Sequence, residues 1–199
     1  MAADTPEHPG APDDHRRTER FFVVTGGPGA GKSTLLAHLR PLGLACAPEA
    51  GRAVIRDQRA VGGRGLPWGD PALFAELMLS WDLRSHREAA AHEGAVVFDR
   101  GVVDVLGYLR LSGLAVPDHV RTAARAVRYH PRVFVAPPWP EIYRTDGERR
   151  QSRAEAERTH EAMVAAYTEY GYEPVELPRV PPAERAAFVA DAVAAWGRG

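Results

Sequence analysis

The 199-residue sequence predicts an α/β protein in which helices cover both faces of a five-stranded parallel sheet. Two observations predict this fold class. Five short apolar segments alternate with helical patterns along the chain, an order typical of a parallel sheet with right-handed crossovers. A glycine-rich segment directly follows the first strand, and ligands of such sheets bind beyond the carboxyl ends of the strands.

The predicted strands span residues 21–24, 42–47, 95–98, 132–136 and 174–177. The predicted helices span residues 34–39, 50–59, 70–93, 102–111, 118–128, 154–170 and 184–196. In the third helix, a stripe at helical spacing is expected to face the core; it consists of Leu73, Phe74, Leu77, Met78 and Trp81. Residues 1–20 offer little to bury and are expected to be a disordered tail, whereas residues 21–199 form one domain.

The glycine-rich segment fits the phosphate-binding pattern of Gly, four residues, Gly, Lys and Ser or Thr. It consists of Gly26, Gly27, Pro28, Gly29, Ala30, Gly31, Lys32 and Ser33, with Thr34 opening the following helix. Such glycines let backbone N–H groups surround phosphates at the positive end of a helix. Lys32, the only lysine in the chain, is expected to reach the β- and γ-phosphates of ATP, and the Ser33 hydroxyl to bind Mg²⁺.

Acidic residues follow two further strands. Asp99 ends the third strand and is a candidate Mg²⁺ ligand together with Ser33; the alternative is an N-cap of the next helix. Arg100 beside it could bind an acceptor or a phosphate through two hydrogen bonds. Glu49 follows the second strand and is the candidate general base, the alternative being a cap or first-turn acid.

An arginine-rich segment at about residues 139–153 is predicted to be a lid that closes over the triphosphate. It carries Arg144, Arg149, Arg150 and Arg153. Arg144 is expected to bind nucleotide, and Arg149 and Arg150 to stabilise the transition state. The alternative is a solvated helix face paired with Glu148, Glu155 and Glu157.

Composition limits the partners. The net charge is −1, so no global basic field attracts nucleic acid or an anionic membrane. Cys46 is the only cysteine, which excludes an intramolecular disulfide, and the eight histidines lack the spacing of a zinc site. No apolar stretch approaches the ~20 residues of a membrane span, and the N-terminus lacks the apolar core of a signal peptide. We therefore expect a cytoplasmic monomer or homodimer that binds a small-molecule phosphate acceptor, with neither nucleic acid nor membrane as a partner.

With these motifs, the chain resembles the nucleoside and nucleotide kinases among P-loop NTPases. It is similar in particular to the AAA-related predicted ATPases that include nicotinamide riboside kinase-type domains. The resemblance covers about residues 21–196 and implies the three-layer P-loop NTPase fold. In deoxynucleoside kinases a Glu after the second strand acts as base and an acid–Arg pair ends the third strand. Glu49 and the pair Asp99 and Arg100 match those places.

The favoured function is an ATP- and Mg²⁺-dependent kinase acting on a small hydroxylated metabolite. The favoured acceptor is a nucleoside or nucleotide. The alternative is a regulatory NTPase or switch, using ATP or GTP, with slow hydrolysis and no acceptor. The chain contains no asparagine, so the guanine-specifying Asn-Lys-x-Asp motif is absent. Arg56, Gln58 and Trp68 are candidates for the acceptor pocket, with loop or packing roles as the alternative.

Overall fold

A computed structural model describes residues 18–139 and 153–197. Its strands are β1 (Phe21–Gly26), β2 (Ala45–Ala47), β3 (Val96–Asp99), β4 (Arg132–Ala136) and β5 (Glu173–Glu176). Its helices are α1 (Lys32–Leu39), α2 (Ala50–Val61), α3 (Pro71–Ala89), α4 (Val102–Leu111), α5 (Asp118–Ala126), α6 (Arg153–Glu169) and α7 (Pro182–Trp196). A short 3₁₀ turn (Arg40–Leu42) follows α1.

The five strands form one parallel sheet in the order β2-β3-β1-β4-β5. Side chains alternate across β1. Phe21 and Val23 face a core shared with α3, α4, α5 and α6, whereas Phe22 and Val24 face α1 and α7. Burial on both faces is why the strands are continuous apolar runs rather than alternating patterns. The predicted fold class, a five-stranded parallel sheet with helices on both faces, is therefore confirmed.

Two predicted boundaries lie three or more residues from those of the structure, and the others lie within two residues. The second strand begins at Ala45 rather than at residue 42, because the 3₁₀ turn takes up Leu42 and ends at Gly43 in a left-handed conformation with φ 84°. The helix predicted to reach residue 93 ends at Ala89, and i to i+3 hydrogen bonds from Ala91 and His92 tighten the chain after it.

The buried face of α3 coincides with only part of the predicted stripe, since Phe74 is buried and Met78 packs against the core. Leu73, Leu77 and Trp81 are only partly buried, whereas Phe74, Ala75, Leu79 and Asp82 are buried. The helix packs against both α2 and α4, and this turns the row containing Phe74 inward. The carboxyl group of Asp82 therefore faces the interior. Within the described chain, no helix combines the length and apolar character needed to cross a membrane.

Candidate active site

The phosphate loop joins β1 to α1 in the tight conformation that its glycines allow. Gly29 and Gly31 have φ angles of 73° and 78°, and Gly31 accepts a 2.9 Å hydrogen bond from the backbone N–H of Leu35, so α1 begins directly at the loop. Left-handed backbone is costly for residues with a Cβ, so glycine is needed at both positions. A Cβ on Gly26 would clash with the backbone of Ala136 in β4. The loop therefore lies close to the sheet, with the N-terminus of α1 behind it.

The Lys32 side chain lies over this loop. It is 5% exposed, and its Nζ donates hydrogen bonds to the carbonyl oxygens of Gly26 at 3.1 Å and Gly27 at 2.7 Å. Ser33 and Thr34 on the first turn of α1 are exposed. A buried ammonium held by neutral carbonyls can transfer its hydrogen bonds to phosphate oxygens without leaving the loop.

Asp99 lies beside the same loop. It is 4% exposed and ends β3, where it is paired in register with Val24, two residues before the loop begins. The exposed Ser33 hydroxyl and the Asp99 carboxylate offer the oxygen ligands that Mg²⁺ prefers. In the described part of the chain no group of three or more His, Cys, Asp or Glu could hold a metal ion. The donor set fits an ion that also binds nucleotide phosphates.

Glu49 and Arg100 meet at the carboxyl ends of β2 and β3. Arg100 Nε donates to Glu49 Oε1 at 3.1 Å, and Arg52 Nε donates to Glu49 Oε2 at 3.1 Å. Glu49 is 6% exposed. Arg100 has φ 69°, an uncommon conformation for a residue with a side chain, and this marks a site where surrounding contacts fix the backbone.

Asp104, in the first turn of α4, holds Arg100 in place. Its Oδ1 accepts from Arg100 Nη1 at 2.8 Å and Thr25 Oγ1 at 2.5 Å. Its Oδ2 accepts from Tyr167 Oη at 2.8 Å and the Gly101 backbone N–H at 3.0 Å. A carboxylate buried at 6% exposure thus has four donors, one from β1, one from α6 and two from the loop between β3 and α4.

The charge of Arg100 is fixed by its surroundings. Burial by itself lowers the pKa of its guanidinium, but the carboxylates of Glu49, Asp104 and Asp99 outweigh burial and raise that pKa above its usual value. Arg100 therefore stays a cation at all working pH values. Its direct contacts are with protein carboxylates, and through one of them it orients Glu49. Its positive charge can also stabilise negative charge that develops nearby.

A cavity of about 540 Å³ opens beside these groups and reaches Pro28 of the phosphate loop. One part of its wall is apolar and includes Ile55, Phe74, Met78, Val105, Tyr108 and Met163. Polar and charged residues form the rest, among them Glu49, Asp82, Arg100, Asp104, Glu155 and Arg158. The volume is that of a site for a small molecule.

Asp82 is 7% exposed and lines this cavity from α3. Burial, and then the negative charges of Asp104 and Glu49, raise its pKa well above the ordinary value for an aspartate. Its carboxyl group therefore keeps its proton to a higher pH than an ordinary aspartate does.

A second buried cation touches the phosphate loop. Arg185 of α7 is 3% exposed, its Nη1 donates to the Ala30 carbonyl at 3.0 Å, and its guanidinium lies 4.8 Å from the Trp139 ring centroid. Within the part of the chain that the structure describes, its Nε and Nη2 have no hydrogen-bond partner. Burial lowers the pKa of this arginine. The contact ties the loop to the helix layer behind it.

A family model described as an AAA domain matches residues 21–185, most of the chain. The chain belongs to the AAA domain family. A comparison of the sequence with curated proteins finds no match.

Solved structures share the fold of this AAA domain at low sequence identity. The NadR protein in complex with NR has a TM-score of 0.68 at 20% identity over 92% of this chain and 52% of the other, so this chain spans about half the length of NadR. Thymidylate kinase from Ehrlichia chaffeensis has a TM-score of 0.58 at 12% identity, over 87% of this chain and 98% of that one. Deoxyadenosine kinase from M. mycoides with bound dATP has a TM-score of 0.56 at 13% identity, over 87% and 99%.

Several of the site residues that the sequence predicted for this AAA domain lie close together. Lys32 contacts the phosphate loop, Glu49 contacts Arg100, and Asp99 ends the strand next to the loop. Their roles in binding and catalysis stay predictions. Arg144, Arg149 and Arg150 lie outside the described residues, as does most of the predicted lid.

Of the three candidates for the acceptor pocket, one lines the cavity and two do not. Trp68 lines the cavity and is 63% exposed, whereas Arg56 and Gln58 do not line it. Arg56 Nε contacts Asp57 at 3.3 Å, and Gln58 Oε1 accepts from the Gly65 N–H at 2.9 Å. Gln58 therefore has the loop role that the sequence analysis gave as the alternative to a place in the acceptor pocket.

Sequence reasoning missed Asp82, Asp104 and Arg185. For Asp104 a signal was present, because an acid in the first turn of an apolar helix directly after Gly101 is a capping pattern. Asp82 lies eight residues after Phe74, on the same side of α3, which an apolar stripe centred on Phe74 would have included. Nothing in the sequence near Arg185 indicates its contact with the phosphate loop.

Proposed function

We propose that the protein is an ATP- and Mg²⁺-dependent phosphotransferase that transfers the γ-phosphate to a hydroxyl group of a small metabolite, a nucleoside or nucleotide first of all. One observation carries this proposal: the cavity of about 540 Å³ reaches the phosphate loop and has Glu49 and Arg100 in its wall. A hydrolase needs space for a water molecule, whereas a kinase needs space for a second substrate beside the triphosphate.

Glu49 is the proposed general base. Each of its carboxylate oxygens accepts a hydrogen bond from an arginine, and a carboxylate oxygen can accept a further bond from a substrate hydroxyl. The acceptor O–H would give its proton to Glu49 while its oxygen attacks the γ-phosphorus. The bond to the bridging oxygen breaks, and ADP leaves with that electron pair. Arg100 and Arg52 hold the carboxylate in one orientation as the hydroxyl approaches.

The phosphate loop is the proposed ATP site. Lys32 would exchange its two carbonyl partners for oxygens of the β- and γ-phosphates. Ser33 and Asp99 would hold Mg²⁺, which when bound neutralises charge on the same phosphates. Arg144, Arg149 and Arg150 are proposed to add positive charge from the lid. The similar folds of a thymidylate kinase and of a deoxyadenosine kinase with bound dATP support a nucleoside or nucleotide as acceptor.

The experiment supplies γ-labelled ATP and Mg²⁺ with a panel of nucleosides, nucleotides and hydroxylated metabolites, and follows the label. A labelled phosphate ester establishes a kinase and identifies its acceptor. Label found only in inorganic phosphate would instead establish a regulatory NTPase and refute the proposal.

A variant tests the role of Glu49 separately. Glu49→Gln removes the base but keeps the size of the side chain, so turnover is expected to fall by about 10²–10⁴-fold while ATP affinity stays within about threefold. Glu88→Gln, at an exposed position on α3, is the matched control. Full activity in Glu49→Gln would exclude Glu49 as the base.

A further inference from the structure

Arg185 is a buried cation at a position that disfavours positive charge. It is 3% exposed and lies in the first turn of α7, where the partial positive charge of a helix N-terminus favours acids instead. No carboxylate of the described chain compensates it, since burial alone acts on its pKa and lowers it. An arginine nevertheless keeps its proton in a protein. The unliganded protein therefore holds a charge here without a counter-ion.

The guanidinium uses only part of its hydrogen-bonding capacity. Nη1 donates to the Ala30 carbonyl at 3.0 Å, and the Trp139 ring lies against the group at 4.8 Å from its centroid. Nε and Nη2 are also buried, and no residue in the described ranges accepts a hydrogen bond from either of them. Unpartnered donors and an unpaired charge are both unfavourable in a protein interior. Stability of the fold therefore does not explain an arginine at this position.

The contact with Ala30 fixes the orientation of one peptide group in the phosphate loop. The peptide between Ala30 and Gly31 is trans, so its C=O and N–H point in opposite directions. Because the carbonyl points to Arg185, the Gly31 N–H points away from α7. No backbone carbonyl in the described chain accepts a hydrogen bond from this N–H. Free N–H groups of this kind, at the start of a helix, are the ones that bind phosphate oxygens.

The charge of Arg185 adds to other positive charge at the same loop. The Lys32 ammonium lies over the loop carbonyls, and the N-terminus of α1 begins directly after Gly31. Lys32 and Arg185 are 5% and 3% exposed, so solvent and salt screen them only weakly. Asp99, the acid beside the loop, has Mg²⁺ as its proposed partner. A ligand with several negative charges is therefore the counter-ion that this loop lacks.

We propose that Arg185 is a positioning residue for the nucleotide phosphates: it holds the Ala30 carbonyl away from the ligand, so that the Gly31 N–H faces the phosphates, and its buried charge is balanced by them. This rests on the proposed ATP site and adds to it a residue that lies behind the loop. Arg185 acts on the phosphates through the peptide between Ala30 and Gly31 and through its charge.

Three substitutions separate the charge of Arg185 from its hydrogen bond. Arg185→Lys keeps the charge and a donor on a long side chain, Arg185→Gln keeps a donor without charge, and Arg185→Met keeps an unbranched apolar side chain with neither. Arg179→Met is the matched control, because Arg179 is exposed on the segment before α7.

The test measures phosphate binding and stability separately. Calorimetry with Mg²⁺ and without an acceptor measures the Kd of each full-length protein for ATP and for inorganic triphosphate. Inorganic triphosphate has no base, so it reports on the phosphate loop alone. Thermal unfolding without ligand establishes that each variant is folded and measures its stability.

We expect Arg185→Met and Arg185→Gln to raise both Kd values by about tenfold or more, and Arg185→Lys to stay within about threefold of wild type. The Tm of unliganded Arg185→Met should lie within about 3 °C of the wild-type Tm or above it, because loss of one hydrogen bond is offset by removal of an unpaired charge. Should Arg185→Met not fold, the comparison of Arg185→Gln with Arg185→Lys decides.

A merely structural role for Arg185 predicts the opposite result, a lowered Tm with unchanged affinity of the folded variants for inorganic triphosphate. That result would overturn the inference. A loss confined to ATP would overturn it as well, because Arg185 would then act on the base. Equal losses in Arg185→Lys and Arg185→Met, or no binding of inorganic triphosphate to the wild-type protein, would also refute it.

This inference and the proposed kinase function fail in different ways. Transfer of label by Arg185→Met at the wild-type KM for ATP would leave the kinase function standing and remove Arg185 from the nucleotide site. Phosphate affinity that depends on Arg185, without any transfer of label, would refute the kinase function and leave the positioning role standing.

Discussion

Asp104→Ala is the substitution with the largest expected effect on the site. It removes a buried carboxylate with four donors, and their loss affects Arg100, Thr25, Tyr167 and the Gly101 backbone together. Thr25, Gly101 and Tyr167 are buried and cannot reach bulk water without moving, whereas the Arg100 side chain is 14% exposed and lines the cavity.

The expected loss of stability follows from the burial of the ion pair between Asp104 and Arg100. Breaking a buried ion pair by removing one partner costs about 3–5 kcal/mol, because the remaining charge stays buried. Stranded hydroxyl and N–H groups place Asp104→Ala at the upper end of that range. In a domain of this size the loss corresponds to a fall in Tm of about 6–20 °C.

A double-mutant cycle attributes the loss to these contacts. In the wild-type background Tyr167→Phe removes one hydrogen bond and should cost about 1 kcal/mol. In the Asp104→Ala background it should cost almost nothing, because the hydroxyl has already lost its acceptor, and the coupling is about 1 kcal/mol. Tyr172→Phe is the control, since the Tyr172 hydroxyl accepts from the Tyr129 N–H instead and its cost should be the same in both backgrounds.

The assay is urea unfolding followed by tryptophan fluorescence and circular dichroism for the four proteins of the cycle. A cost below about 1 kcal/mol for Asp104→Ala would contradict the network. An equal cost of Tyr167→Phe in both backgrounds would show that the two side chains are not coupled and would refute the reasoning.

Two further predictions concern Asp82 and the phosphate loop. The raised pKa of Asp82 means that above about pH 4 the unfolded chain releases a proton that the folded chain retains, so this group makes stability fall as pH rises toward its folded pKa. Asp82→Asn should therefore gain stability relative to wild type as the pH rises from about 5 toward the folded pKa of Asp82 in urea titrations, and a constant difference would contradict this. Gly27→Ala places a Cβ against the Ala156 backbone and should cost about 1–3 kcal/mol and weaken ATP binding, whereas Gly94→Ala meets nothing within 4 Å and should do neither. Equal effects of the two glycine substitutions in unfolding and ATP titrations would refute the close contact.

The sequence determined the fold class and the phosphate loop, because both depend on local patterns. Apolar runs such as residues 21–24 and 133–136 are typical of strands buried on both faces, and the glycine spacing before Lys32 is typical of a phosphate-binding turn. The same patterns placed Glu49 and Asp99 at the ends of neighbouring strands, on the correct edge of the sheet. The boundaries of α4 and β4 were also predicted correctly.

The tertiary structure decided which side chains meet. Asp104 acquires donors from residues 63 and 79 positions away in the chain, Arg185 contacts the phosphate loop across 155 positions, and no local pattern encodes such distances. The rotation of α3 that brings Asp82 into the cavity depends on how α2 and α4 pack on either side of it. Local spacing fixes the identity of an element, whereas its rotation and neighbours follow from packing the whole domain, and the acceptor cavity is a product of that packing.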